Sequence, residues 1–189
     1  MNCRAAPAAF GALLCLAALL AGCSPAFNWR DARTEGVPLR ALMPCKPERA
    51  DREVPLLGPG QPAVRLQMMS CEVGDTTFAL GAVQLPKPLD GQDAHLAVKQ
   101  WRAASWTSLK QAPESADLPP KGWQGMPCEM TGAFMSECWT GPGVNHLGRP
   151  LVAQVRWLAK GPWLVQAGVY GEALPKTALD MYFESLRFD

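Results

Sequence analysis

Histidine, net charge and long apolar runs are all in short supply in this 189-residue chain. Its two histidines, His95 and His146, are accompanied by no Gly-x-Ser-x-Gly, His-Glu-x-x-His or Cys-His signature. A formal charge of +1 argues against a general nucleic-acid binder, which carries a strong positive excess. No Cys-x-x-Cys occurs, so neither a close-paired zinc site nor a thioredoxin-like redox pair has its usual spacing. No glycine-rich loop follows a strand and opens a helix, as phosphate binding would need. The apolar or small-residue run at 10–21 has 12 residues, short of the roughly 20 that span a bilayer. No internal repeat of the kind that marks a solenoid is present.

What remains is the composition of an ordinary folded domain, 48% apolar and 19% charged. Eighteen prolines and 17 glycines predict many turns and few long helices. Seven cysteines point to an oxidising compartment or a metal. The 10–21 run has the length of a secretory-signal core, with Arg4 ahead of it and no acid in the first 22 residues. Leu20-Ala21-Gly22-Cys23, which follows, resembles the lipobox of bacterial lipoproteins. The resemblance implies lipid transfer to the Cys23 thiol, cleavage after Gly22 and acylation of the new amino group. Several chains then anchor stably where one would hold only marginally. Ser24, rather than Asp, favours the outer membrane in the Gram-negative sorting pattern this resembles. The competing reading is an ordinary signal peptide that ends near a cysteine. Cleavage leaves 167 residues with 17 charges of each sign. We expect a tether over 23–36 and one domain over 37–189, facing the periplasm.

Cys3 and Cys15 leave with the signal, and Cys23 takes lipid. Cys45, Cys71, Cys128 and Cys138 then read as two disulfides, with three connectivities open. Residues 125–131 and 134–140, folded about residue 133, set Cys128 opposite Cys138 at bridging distance. Cys45 is left for Cys71. Strand parity groups Cys71 with Arg65, Gln67 and Met69 rather than with Val64, Leu66 and Met68. That second bond therefore needs a bulge, or a place at a sheet edge or end. No metal and no cofactor are expected.

Along the body, the pattern predicts a strand at 37–43, a charged connection at 48–53 and a short edge strand at 54–57. A hairpin follows at 63–73 and 76–85. Asp90 and Asp93 are caps for a helix over 92–110, with Ala94, Val98, Trp101, Ser105 and Leu109 as its buried stripe. After the cysteine hairpin comes a Gly/Pro loop at 141–150. Alternating strands follow at 151–158 and 163–169, then a helix at 175–186. The expectation is an α+β domain: a mainly antiparallel sheet of about six to eight strands with two helices packed on it. The order resembles the PsbP-like α/β/α sandwich, through Met43-Pro44-x-Lys46-Pro47 and the closing Tyr182-Phe183-x-Ser185-Leu186-x-Phe188. That family includes envelope lipoproteins and assembly factors, so the resemblance implies binding or assembly rather than catalysis.

Candidate site residues are few. His95 reads as a surface helix residue. His146, in a Gly/Pro-rich loop, is the better imidazole. Glu129 and Glu137 face each other across the expected hairpin, as an acid/base pair if buried and as solvated charges if exposed. Trp101, Trp157 and Trp163 fit the core by period. Trp29, Trp106, Trp123 and Trp139 do not; Trp29, Trp106 and Trp139, with His146, form the candidate binding surface. The reading these features favour is a non-enzymatic, membrane-anchored lipoprotein that binds an envelope protein partner or another envelope component. The alternatives are an envelope hydrolase using His146 or the Glu129/Glu137 pair, and a small-ligand binding module.

Overall fold

The computed structural model describes residues 27–56, 60–113 and 118–189. The signal residues and the candidate lipidation site Cys23 lie outside them. Among the described residues are ten strands and two helices: β1 (Arg30–Arg33), β2 (Leu39–Met43), β3 (Glu48–Val54), β4 (Val64–Val73), β5 (Thr76–Gln84), α1 (Gly91–Ser108), β6 (Gln124–Met126), β7 (Met135–Val144), β8 (Pro150–Lys160), β9 (Trp163–Gly171), α2 (Lys176–Ser185) and β10 (Arg187–Phe188). A seven-stranded antiparallel sheet runs β3-β4-β5-β9-β8-β7-β6, and a three-stranded sheet runs β1-β2-β10. This is an α+β fold with a mainly antiparallel sheet core.

Both faces of the large sheet are covered, which decides the strand patterns. Leu151, Ala153, Val155 and Trp157 of β8 point to one face with Leu164, and α1 packs over them through Ala94, Val98, Trp101 and Ser105. Val165, Ala167 and Val169 of β9 point to the other, where β2 and α2 contribute Leu39, Ala41, Met43, Ala178, Tyr182 and Phe183. Cys71 shares that second face with Met69, and both are buried. The Cys45–Cys71 bond, with Cα atoms 5.9 Å apart, therefore needs no bulge: the parity that looked solvent-facing meets the second layer.

Asp90 caps α1 by accepting the Asp93 N–H at 2.9 Å. The helix ends where Lys110 turns to positive φ.

Several expectations are corrected. The segment read as a tether carries β1, and Arg40 ties that layer together by pairing with Asp31 and, at 2.6 Å, with Asp189. The first strand starts at Leu39 rather than Val37. The charged connection at 48–53 is β3, paired with β4 from Glu48↔Ser70 to Val54↔Val64. It shows no alternation because residues 48–53 are exposed on both faces at the edge of the sheet. The described residues of 54–57 add no separate strand beyond Val54, the last residue of β3. The cysteine hairpin has a shifted register: Cys138 lies opposite Met126, not Cys128. Cys128 sits beyond the short β6 and still reaches Cys138, with Cα atoms 5.9 Å apart.

The expected loop over 141–144 is the end of β7. Its Gly-Pro-Gly composition serves packing: a Cβ on Gly141 would lie 2.5 Å from the Trp123 ring. Trp123 donates its Nε1–H to the Pro142 carbonyl at 2.9 Å. Pro142 lies past the last β6 pair, where that side of β7 carries no neighbouring strand and proline is tolerated.

The chain's only two tyrosines are both enclosed at their hydroxyls. Tyr182 donates to the Ala79 carbonyl at 2.7 Å. Tyr170 has a half-exposed ring, but its hydroxyl lies against Gly168 and accepts from Gln166. Burial raises Tyr170 to about 12 and holds Tyr182 well above its ordinary value. Because the fold favours the neutral phenols, this stabilisation is complete below the unfolded value of about 10 and is lost as pH rises through about 12. In an alkaline titration, phenolate absorbance should show no step near pH 10. It should rise together with the tryptophan signal of unfolding. A two-tyrosine step in still-folded protein would contradict this.

Candidate functional site

The structure separates the residues that the sequence grouped as a binding surface. Trp29 lies in the layer of the three-stranded sheet, stacked on Phe27 and edge-on to Phe78 at 6.2 Å. Trp106, on α1, and Trp139, on β7, are on the opposite side of the large sheet, where α1 packs. Trp106 is only 2% exposed and belongs to the core. It meets Trp123 at 5.8 Å and Trp139 at 5.6 Å, both edge-on. Helical periodicity missed it because α1 buries a stripe wide enough to include 102 and 106 beside 98, 101 and 105.

Between these rings sits an ion pair. The Arg102 guanidinium lies 5.1 Å from the Trp106 ring centre and 5.0 Å from that of Trp139, and it pairs with Glu137. Trp139 Nε1–H also donates to Glu137 at 3.2 Å. Glu137 therefore partners a cation, while Glu129 is exposed in the turn. The register shift that moved Cys128 also removes the Glu129/Glu137 pairing, so that acid/base pair is not formed.

His95 is exposed on α1, as expected. His146 is exposed at the tip of the β7–β8 turn. Asn145 shapes this turn: its side-chain oxygen accepts from the N–H groups of Leu147 and Arg149, both at 2.9 Å. His146 borders a cleft of about 360 Å³ with Glu72, Asp75, Tyr170 and Glu172. Tyr170 turns its hydroxyl away toward Gly168 and Gln166, so it contributes its ring rather than a reactive oxygen to this cleft. Among the described residues, no three His, Cys, Asp or Glu side chains are grouped so that they could hold a metal ion.

A second concave region is mainly apolar. A groove of about 390 Å³ runs between the N-terminal half of α1 and the 85–89 segment. Leu85, Pro86, Leu89, Leu96 and Ala97 line it, with Gln61, Lys87, Asp93 and Gln100 as polar members. Leu96 is 54% exposed although the helix buries its core stripe fully on the other side. Phe134, 61% exposed, stands at the same helix end with its ring over Gly91. Sequence reasoning missed this groove. Its one local sign was Leu96, a leucine off the stripe of Ala94, Val98 and Trp101.

No helix among the described residues is long and apolar enough to cross a membrane. Compared with known proteins, the chain matches no family model and no curated protein.

Proposed function

We propose that this chain is a non-enzymatic lipoprotein that binds an apolar segment of an envelope protein in the groove beside α1. In this reading Cys23 carries the lipid, the anchor is the outer membrane of a Gram-negative cell, and the domain faces the periplasm. The observation that carries the binding role is Leu96. A core-packed helix exposes a large leucine into a groove whose other walls are Leu85, Pro86 and Leu89. Leu85 and Ala97, each 4% exposed, form the apolar floor of this groove and Leu96 its exposed rim. Concave apolar sites with a few polar groups are where ligand segments seat. Gln61 and Gln100 offer amide donors and acceptors to a polypeptide backbone, while the leucines take side chains. A helix on each side of an antiparallel sheet is in keeping with the PsbP-like likeness, which also favours binding.

Leu96→Glu should test the reading cleanly, because an exposed position tolerates charge without loss of fold. Full-length, tagged protein extracted in mild detergent should bring down a partner in matching amount, and Leu96→Glu should lower that yield tenfold or more. An unchanged yield places the contact elsewhere.

A further inference from the structure

We infer that β3 is a self-complementary edge through which two copies of this chain pair, joining their seven-stranded sheets across a two-fold axis at Ala50. Among the described residues β3 is the end strand of the large sheet, with β4 on one side and no strand on the other. Residues 48–53 are all exposed. An open edge of this length offers a row of backbone donors and acceptors to a further strand, and proteins normally blunt such edges. Here Pro47 and Pro55 bound the strand, but its middle, Glu-Arg-Ala-Asp-Arg, carries charges of alternating sign around one small residue.

Pairing geometry restricts the register. In an antiparallel ladder, only every second residue turns its N–H and C=O outward, and outward-facing residues pair with outward-facing residues. Two identical strands can therefore pair only in registers centred on a residue, not between residues. A centre at Arg49 sets arginine on arginine, a centre at Asp51 sets aspartate on aspartate, and a centre at Arg52 does both kinds of harm. Like charges directly opposite are destabilising. The centre at Ala50 sets Glu48 against Arg52 of the second copy and Arg49 against Asp51 of the second copy, each twice by symmetry. The smallest side chain falls on the axis.

The faces agree with this register. Glu48, Ala50 and Arg52 share the α1 side of the sheet, while Arg49 and Asp51 share the side of the three-stranded sheet. Arg49 and Asp51 have partners within the chain, the Arg33 carbonyl and Arg65. Among the described residues, Glu48 and Arg52 have no ion-pair partner, so the pairing would satisfy both. The two-fold axis of such a pair is perpendicular to the sheet. It keeps β1, close to where the described residues begin, on one side in both copies. The anchor proposed at Cys23 could then reach a single membrane from both copies, and tethering would raise the effective concentration for pairing.

The test uses the full chain, processed by its own leader and studied in detergent by light scattering coupled to size exclusion. Wild type should be dimeric at tens of micromolar. Glu48→Arg, which faces Arg52 of the second copy with arginine, should weaken dimerisation at least tenfold, and Arg52→Glu should do the same. The double variant, E48R/R52E, restores opposite charges and should restore the dimer. Independently, Ala50→Cys should form a reducible cross-link to a second copy in membranes. Glu53→Cys should not, because its two copies would stand about 20 Å apart. Monomeric wild type, with Ala50→Cys cross-linking no more than Glu53→Cys, would overturn the proposal. So would a dimer indifferent to the charge swap. Neither readout depends on the groove, so the pairing and the proposed function can fail separately.

Discussion

Opening both disulfides should remove roughly 6 kcal/mol of stability, comparable with the whole margin of a small domain. The bonds span 26 and 10 residues. Chain entropy assigns about 3.5 kcal/mol to the longer loop and about 2.7 to the shorter. The position of Cys45–Cys71 adds a structural reason for the larger effect. It fastens the segment just after β2 to β4, and so holds the three-stranded layer onto the large sheet. The paired substitution of Cys45 and Cys71 to Ser should therefore cost more than that of Cys128 and Cys138. Thermal unfolding followed by tryptophan fluorescence, with and without reductant, checks this. The expected drop in midpoint on full reduction is of order 15 °C for a domain of this size. A drop of only a degree or two would mean that the two cores hold without their staples.

The second large effect is expected at Glu137. Arg102 is 10% exposed and Glu137 23%, so this is a mostly buried pair rather than a surface one. Such a pair contributes little net stability, because desolvation offsets attraction, but breaking it leaves a charge stranded. Glu137→Leu should cost about 3 kcal/mol, the lower end of the range for buried pairs, since water reaches part of the carboxylate. It also removes the acceptor of the Trp139 indole N–H. Replacing both partners, as Arg102→Met with Glu137→Leu, should recover most of the loss, because no uncompensated charge remains. Denaturant midpoints of the three variants give the comparison. A cost below about 1 kcal/mol for the single change would mark the pair as effectively solvent-screened.

Where a pattern was legible in the sequence, one face of an element met one environment. The existence of the β4–β5 hairpin, the alternation of β5 and β8 and the stripe of α1 each follow from periodicity. The residues of β5, β8 and the stripe are buried as it requires; in β4 the burial instead falls on Val64, Met69 and Cys71. The misreadings share a physical cause, which is that the deciding contact was not local. β3 has no apolar side, so only its ladder with β4 makes it a strand. Gly141-Pro142-Gly143 has turn composition, yet it is extended because Trp123, far back in the chain, needs the space above Gly141. Cys71 looked misplaced because its second covering layer comes from both ends of the chain, β1–β2 and α2–β10.

The site was less legible than the fold. Trp106 and Trp139 were singled out correctly as unusual, but the reason is a buried cation between rings rather than an exposed surface. Arg102 gave no warning, being one basic residue on a helix with others. The groove is assembled from α1, the 85–89 segment and residues 61–62. No window of sequence contains it, and only Leu96 hinted at it.

The central claim is that an anchored domain holds a partner through this groove. Its most direct measurement is co-isolation of the full-length, tagged protein from detergent-solubilised envelopes, wild type beside Leu96→Glu. The account predicts a stoichiometric partner with wild type and its loss with Leu96→Glu at equal protein recovery. A wild-type protein recovered alone, or a partner retained undiminished by Leu96→Glu, would contradict it.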